Sequence, residues 1–177
     1  MRQALKLHPD SRCDAATNIE VEVAHPCPGR LALHYIVTGP IGDLVLPAVS
    51  APMRADELWR HTCFEAFIRA TGEGYYEFNF APSTQWAAYR FTRARRGMRV
   101  ASEIREPRIE AQRNGASFEL KVLLDLPSDA ALRLGLSAVI EETSGRISYW
   151  ALAHPPGKAD FHHSDCFALE LPAALPP

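Results

Sequence analysis

A chain of 177 residues with 19 Lys and Arg against 21 Asp and Glu has a formal net charge of −2 and the size of one domain. Such a domain buries about 70% of the surface that its unfolded form exposes. Without a long basic run it excludes nucleic acid as the main partner, because phosphate binding needs clustered Lys and Arg. No stretch approaches the length of a membrane span and Met1 to Pro9 lacks the apolar core of a signal peptide, so a cytoplasmic protein with no membrane partner is expected.

Fourteen prolines and ten glycines punctuate short apolar segments, with no linker and no repeat of fixed period. That spacing predicts an all-β, antiparallel β-sandwich with few short helical turns, a single unit over residues 1–177. In chain order the expected strands are Ile19–His25, Leu31–Thr38, Leu58–Arg69, Tyr75–Phe80, Gln85–Thr92, Arg108–Arg113, Ser117–Asp125, Leu134–Glu142, Ile147–Ala153 and Cys166–Leu171. Turns are expected at Pro26 to Gly29, Thr71 to Gly74, Asn114-Gly115 and Thr143 to Gly145, whose residues tolerate positive φ or bond their own backbone. Helical turns are expected near Ala55 to Leu58 and over Pro127 to Arg133, the latter with Ser128 or Asp129 as N-cap. Cys13, Cys27, Cys63 and Cys166 lack paired spacing and are expected as reduced thiols, with a Cys13–Cys27 pairing as the alternative. Arg93, Arg95, Arg96 and Arg99 read as a solvated hairpin end.

The segments between Trp59 and Phe91 carry the most chemistry. Successive strand side chains alternate sides, so Phe64, Ala66 and Ile68 point one way while His61, Cys63, Glu65 and Phe67 point the other. Likewise Tyr76, Phe78 and Phe80 read as core, leaving Tyr75, Glu77 and Asn79 opposite. A connection over Ala70 to Gly74 sets Glu65 across from Asn79 and Phe67 across from Glu77, with Glu65 and Glu77 diagonal at about 7–8 Å. The next segment is expected to put Tyr89 and Phe91 in the core, and Trp86, Ala88 and Arg90 on the polar face, where Arg90 offsets a carboxylate. Carboxylates, an amide, an arginine and indoles suit a polyhydroxylated ligand, which needs donors, acceptors and an aromatic platform. The competing reading is a plain solvated sheet face.

At these residues the chain resembles the DOMON-like domains related to family-nine carbohydrate-binding modules. The resemblance rests on Leu58-Trp59 followed by Glu65 within Phe64 to Ile68, on Tyr76-Glu77-Phe78-Asn79-Phe80-Ala81-Pro82 with Trp86, and on Phe161-His162 before the closing strand, spanning about residues 15 to 171. It implies an immunoglobulin-like or jelly-roll β-sandwich that binds a sugar or other small ligand without catalysis. By motif position Trp59 would be one aromatic wall, Glu65 an acidic acceptor and Asn79 an amide contact, and Trp150 or Phe161 would supply the second wall. Glu77 stands where those relatives tend to carry a basic residue. Met53 and Met98 do not match a haem-binding pattern and no acidic loop suits calcium, so no cofactor is expected.

The expected ligand-binding set is therefore Trp59, Glu65, Glu77, Asn79, Trp86, Arg90, Trp150 and His162, with a saccharide-like small molecule as partner. The alternatives are a protein-interaction module using the same face or a strand edge, and a glycoside-processing enzyme with Glu65 and Glu77 as acid and base. For the enzyme, an open sheet face offers little desolvation to separate the two pKa values. His154 to Cys166 is rich in metal-ligand types, and His61 with Cys63 could add ligands, but no recognised zinc spacing appears and no metal is expected.

Overall fold

The computed structural model describes residues 1–127 and 131–173. Among these the chain forms β1 (Arg2–Leu7), β2 (Asn18–Cys27), β3 (Arg30–Thr38), β4 (Cys63–Arg69), β5 (Tyr75–Phe80), β6 (Trp86–Phe91), β7 (Arg99–Val100), β8 (Arg108–Asn114), β9 (Ser117–Asp125), β10 (Leu132–Glu141), β11 (Ile147–Ala151) and β12 (Leu169–Leu171). Three single-turn 3-10 segments, Ile41–Asp43, Leu58–Arg60 and Ser164–Cys166, are the helical content of the described residues. None is long and apolar enough to cross a membrane.

The all-β expectation holds. All strand pairs are antiparallel, and the strands form one curled sheet in the order β7-β6-β5-β4-β10-β11-β1-β2-β3-β9-β8, with β12 beside β10. The short strand β1 is the hinge: Arg2 to Leu5 pair with β2, whereas Lys6 and Leu7 pair with β11. It was missing from the expected strands, as was the two-residue β7.

The two halves of the sheet face each other across one apolar core. Ile19, Val21, Leu33 and Leu120 of the first half meet Phe64, Phe78, Leu134 and Leu136 of the second. Phe64 stacks on Phe118 at 5.8 Å, and Tyr35 reaches across the core to donate its hydroxyl to the Glu65 carbonyl at 2.8 Å. Burying a large apolar side chain contributes about 1.5–3 kcal/mol, so this layer dominates the stability.

Most boundaries match within a residue or two, and Gly29, Gly72, Gly115 and Gly145 have positive φ at the expected turns. Two segments are corrected. Leu58–Arg69 is not one strand: Glu57 has φ +60° and starts the 3-10 turn Leu58–Arg60, so pairing begins at Cys63. Likewise Cys166 ends the 3-10 turn Ser164–Cys166, and pairing starts at Leu169. The N-cap expected at Ser128 or Asp129 lies outside the described residues, but Leu132 and Arg133, expected in the same helical turn, open β10 and pair with Leu171 and Glu170 instead. All four cysteines are free thiols.

Candidate functional site

The register of β4 on β5 is the expected one, with Glu65 opposite Asn79 and Phe67 opposite Glu77. Ser137 of β10 lies across from Glu65 on the other side and Gly135 across from Phe67. Gly135 is needed for a steric reason: a Cβ there would sit 3.0 Å from the Cys166 carbonyl oxygen and 3.4 Å from the Phe67 Cβ. The glycine lets residues 161–167 lie close against the sheet.

This outer face is covered rather than open, which overturns the solvated-face reading. Glu65 is 2% exposed, Glu77 6% and Asn79 fully buried. Phe67, Tyr75, Ala87, Tyr89, Phe91 and Phe167 form a second apolar cluster here, and Leu58 and Phe161 pack on it from the overlying loops. Beneath the loops lies a cavity of about 300 Å³ lined by Trp59, Glu65, Phe67, Glu77, Arg95, Met98, Val139, Tyr149, Ala159, Phe161 and His162. That volume is at the small end of the roughly 300–1,000 Å³ common for small-molecule sites.

Its polar groups form a connected chain. The Cys63 thiol donates to Asn79 Oδ1 at 3.6 Å, Asn79 Nδ2 donates to Glu77 Oε1 at 2.8 Å, and Glu77 Oε2 lies 3.6 Å from His162 Nε2. The Tyr75 hydroxyl accepts from the Arg95 backbone N–H at 3.2 Å, which leaves its own proton to point at His162 Nδ1, 2.7 Å away. With Nδ1 accepting, a neutral His162 carries its proton on Nε2, aimed at Glu77. Burial, helped by the charge of Arg95, lowers the His162 pKa to about 4, so the ring is neutral at physiological pH. Arg95 itself holds φ +54° and binds Asp160 Oδ1 through Nε at 3.2 Å and Nη2 at 2.8 Å.

Glu65 accepts a hydrogen bond from Ser137 Oγ to Oε2 at 2.9 Å, while Oε1 has no hydrogen-bond partner among the described residues. Burial first, then the charge of Glu77, raises its pKa from 4.5 to about 8. Burial also raises that of Glu77, against the opposing effects of Asn79 and Arg95. The expectation that an open face would leave these carboxyls unperturbed is therefore wrong, for the physical reason that the loops exclude water.

The structure brings Trp59, Glu65, Glu77, Asn79 and His162 together and separates Trp86, Arg90 and Trp150 from them. In β6, Phe80 pairs with Trp86 and Glu77 with Tyr89, so Ala87, Tyr89 and Phe91 share the acid face. Trp86 is 3% exposed on the inner face with the Arg54 guanidinium 4.0 Å over its ring. Arg90 lies on that same side, 4.7 Å over the Tyr76 ring, and does not offset either carboxylate. Trp150 pairs with the core residue Ala138 and is itself in the main core. Its neighbour Tyr149, opposite Val139, reaches the cavity instead. Arg95, Ser137 and Tyr149 are the residues that strand reading missed, and of the two candidates for a second aromatic wall Phe161 lines the cavity and Trp150 does not. Trp59 sits at the mouth, 36% exposed and edge-on to Tyr89 at 6.1 Å.

No protein-family model matches the sequence, and no curated protein does. Solved structures are similar in fold. A candidate carbohydrate-binding protein from Bacteroides uniformis superposes with a TM-score of 0.63 at 16% identity, over 93% of this chain and 83% of that one. A family-nine carbohydrate-binding module from Caldicellulosiruptor kristjanssonii, solved with cellotriose, gives 0.52 at 10% identity, over 89% and 74%. At such identities the likeness establishes a shared fold.

Proposed function

We propose that this chain acts as one non-enzymatic binding unit for a saccharide or sugar derivative, held in the cavity over β4 and β5. The observation that carries the reading is the convergence of aromatic side chains at the mouth, Trp59, Tyr149 and Phe161, with hydrogen-bonding groups inside, Glu65, Glu77 and His162. Aromatic faces cover the C–H face of a sugar ring, and mixed donors and acceptors serve its hydroxyls. Asn79 acts from behind by orienting Glu77. The cellotriose seen with one structural neighbour adds support by analogy of fold.

Calorimetry against a panel of mono- and disaccharides tests the proposal. Trp59→Ala should abolish measurable binding while leaving unfolding cooperative, because Trp59 packs at the mouth and not in the core. An unchanged affinity would sink this placement.

Glycoside hydrolysis is a second reading, favoured by one observation: Glu65 is held as a neutral acid beside the buried Glu77, the kind of split that divides acid and base roles. Release of the aglycone from aryl glycosides, lost in both Glu65→Gln and Glu77→Gln, would establish it in place of simple binding.

A further inference from the structure

The cavity contains more acid than a neutral sugar requires. Two carboxyl groups, on Glu65 and Glu77, line a space of about 300 Å³ whose other walls include Phe67, Trp59, Tyr149 and Phe161. Glu65 is 98% buried by its 2% exposure, yet its Oε1 has no hydrogen-bond partner among the described residues while the side chain lines the cavity. An acceptor in that position faces the cavity and is open to a donor on a ligand. The ring faces available at the mouth are negative in their quadrupole and favour a cation within about 6 Å.

Arg95 is the cation already at the rim, and it opposes a second one. Its guanidinium, however, is bound through two nitrogens to Asp160 and its side chain is largely exposed, so its charge is partly offset there even though it still reaches Glu77 and His162. His162 is placed by Tyr75 with Nδ1 as acceptor and is neutral. Glu65 and Glu77 therefore decide the sign of the site.

Resting on the saccharide reading above, we infer that the ligand is an amine-bearing saccharide whose ammonium group is held between Glu65 and Glu77 inside the aromatic mouth. The free Oε1 of Glu65 accepts an N–H of the ammonium, Glu77 supplies the second counter-charge, and Trp59 and Phe161 cover the apolar faces of the ring. The desolvation that keeps Glu65 protonated without ligand is relieved once a cation lies beside it. A neutral hydroxyl in the same place gains a hydrogen bond but no charge pairing, and charge-assisted bonds are roughly twice as strong as neutral ones.

Titration calorimetry of the whole chain at neutral pH with glucosamine, glucose and N-acetylglucosamine tests the inference, since the three share a ring and differ at one substituent. Glucosamine should bind at least about tenfold more tightly than either of the others, the scale of one desolvated cation–π or charge contact. In Glu77→Gln the gap should fall to within about twofold, because the carboxamide keeps a polar group in place but removes the counter-charge. Because the ligand series is read on the unmodified chain, the answer does not depend on whether a variant folds. Glucose binding as tightly as glucosamine, or more tightly, overturns the inference and leaves the saccharide reading standing. Failure of all three sugars to bind overturns the inference, and failure of the whole mono- and disaccharide panel overturns the saccharide reading as well.

Discussion

The outer faces of the two half-sheets carry similar residues and meet different fates. On the first half, Arg2 pairs with Glu20 at 2.8 Å, His34 bridges Glu22 at 3.3 Å and Glu119 at 2.9 Å, and Arg108 meets Glu110 at 2.7 Å, all at or near the surface. On the second half, Glu65, Glu77 and Asn79 occupy equivalent outward positions but lie under the loops around Trp59, Arg95 and Phe161. A hollow of about 680 Å³ over the first half is larger than the cavity over the second. Volume alone would choose it, but Arg2, Glu22, His34, Arg108 and Glu110 on its walls already pair with one another at the surface, and exposed pairs of that kind are worth about 0–1 kcal/mol. What distinguishes a site from a surface here is the withdrawal of water from the polar groups.

The largest effect expected from that contrast concerns the covering itself. Phe67 is buried between Tyr75, Phe161, His162 and Phe167, with ring separations of 5.1–6.4 Å. Phe67→Ala should cost about 3–5 kcal/mol in denaturant unfolding, whereas Lys121→Ala on the first half's exposed face should stay within about 0.5 kcal/mol. A loss below about 1 kcal/mol at Phe67 would mean that the loops do not pack on the sheet and that the site is open.

The next effect concerns pH. An unfolded Glu65 ionises near 4.5, and the folded one near 8. The folded state therefore binds the extra proton, and stability declines as pH rises through that interval, levelling off above it. His162 acts in the opposite sense, since its folded value of about 4 lies below the usual 6.5 and its contribution is lost as pH falls through that range. The two overlap up to about pH 6.5, so the window from about 6.5 to 8 reports Glu65 without His162. Across it the native state should lose about 2 kcal/mol, and Glu65→Gln should flatten the slope and be more stable than the parent at the upper end. A midpoint that stays level or climbs over this window would contradict the burial of Glu65.

How far the sequence could be read follows from the same contrast. The pairing of Glu65 with Asn79 was legible because a five-residue connection fixes the register and Phe64, Ala66 and Ile68 mark the core side unambiguously. In β6 the alternation misleads: Ala87, Tyr89 and Phe91 look more apolar than Trp86, Ala88 and Arg90, yet they face outward. Both sides of this half-sheet are covered, so apolar content no longer identifies the inner one. The hairpin held the missing signal. With Phe80 and Gln85 flanking a tight turn in which Thr84 takes φ +73° and the Ala81 N–H donates to the Gln85 carbonyl at 2.9 Å, Trp86 must share the side of Phe80. In β11, Ser148 and Trp150 alternate with Ile147 and Tyr149, and neither set is clearly the polar one. Arg95 was beyond strand logic, because its place at the rim depends on a loop that returns to Asp160, 65 residues along the chain.

The smallest effect should come from the first half, and its sign is the informative part. Glu119 lies below the usual carboxylate range because His34 and Asn114 hydrogen-bond to it. A folded carboxyl that ionises more readily than the unfolded one adds stability above the unfolded pKa and loses it as pH falls through the folded value, opposite to Glu65. Glu119→Gln should thus weaken the protein slightly at neutral pH, and the difference should shrink at high salt, because the group is exposed enough for ions to screen it. Glu65→Gln should keep its effect at the same salt, since its surroundings admit little water. Comparable salt sensitivity in the two variants would place both carboxyls in the same environment and remove the distinction between the faces on which the binding site rests.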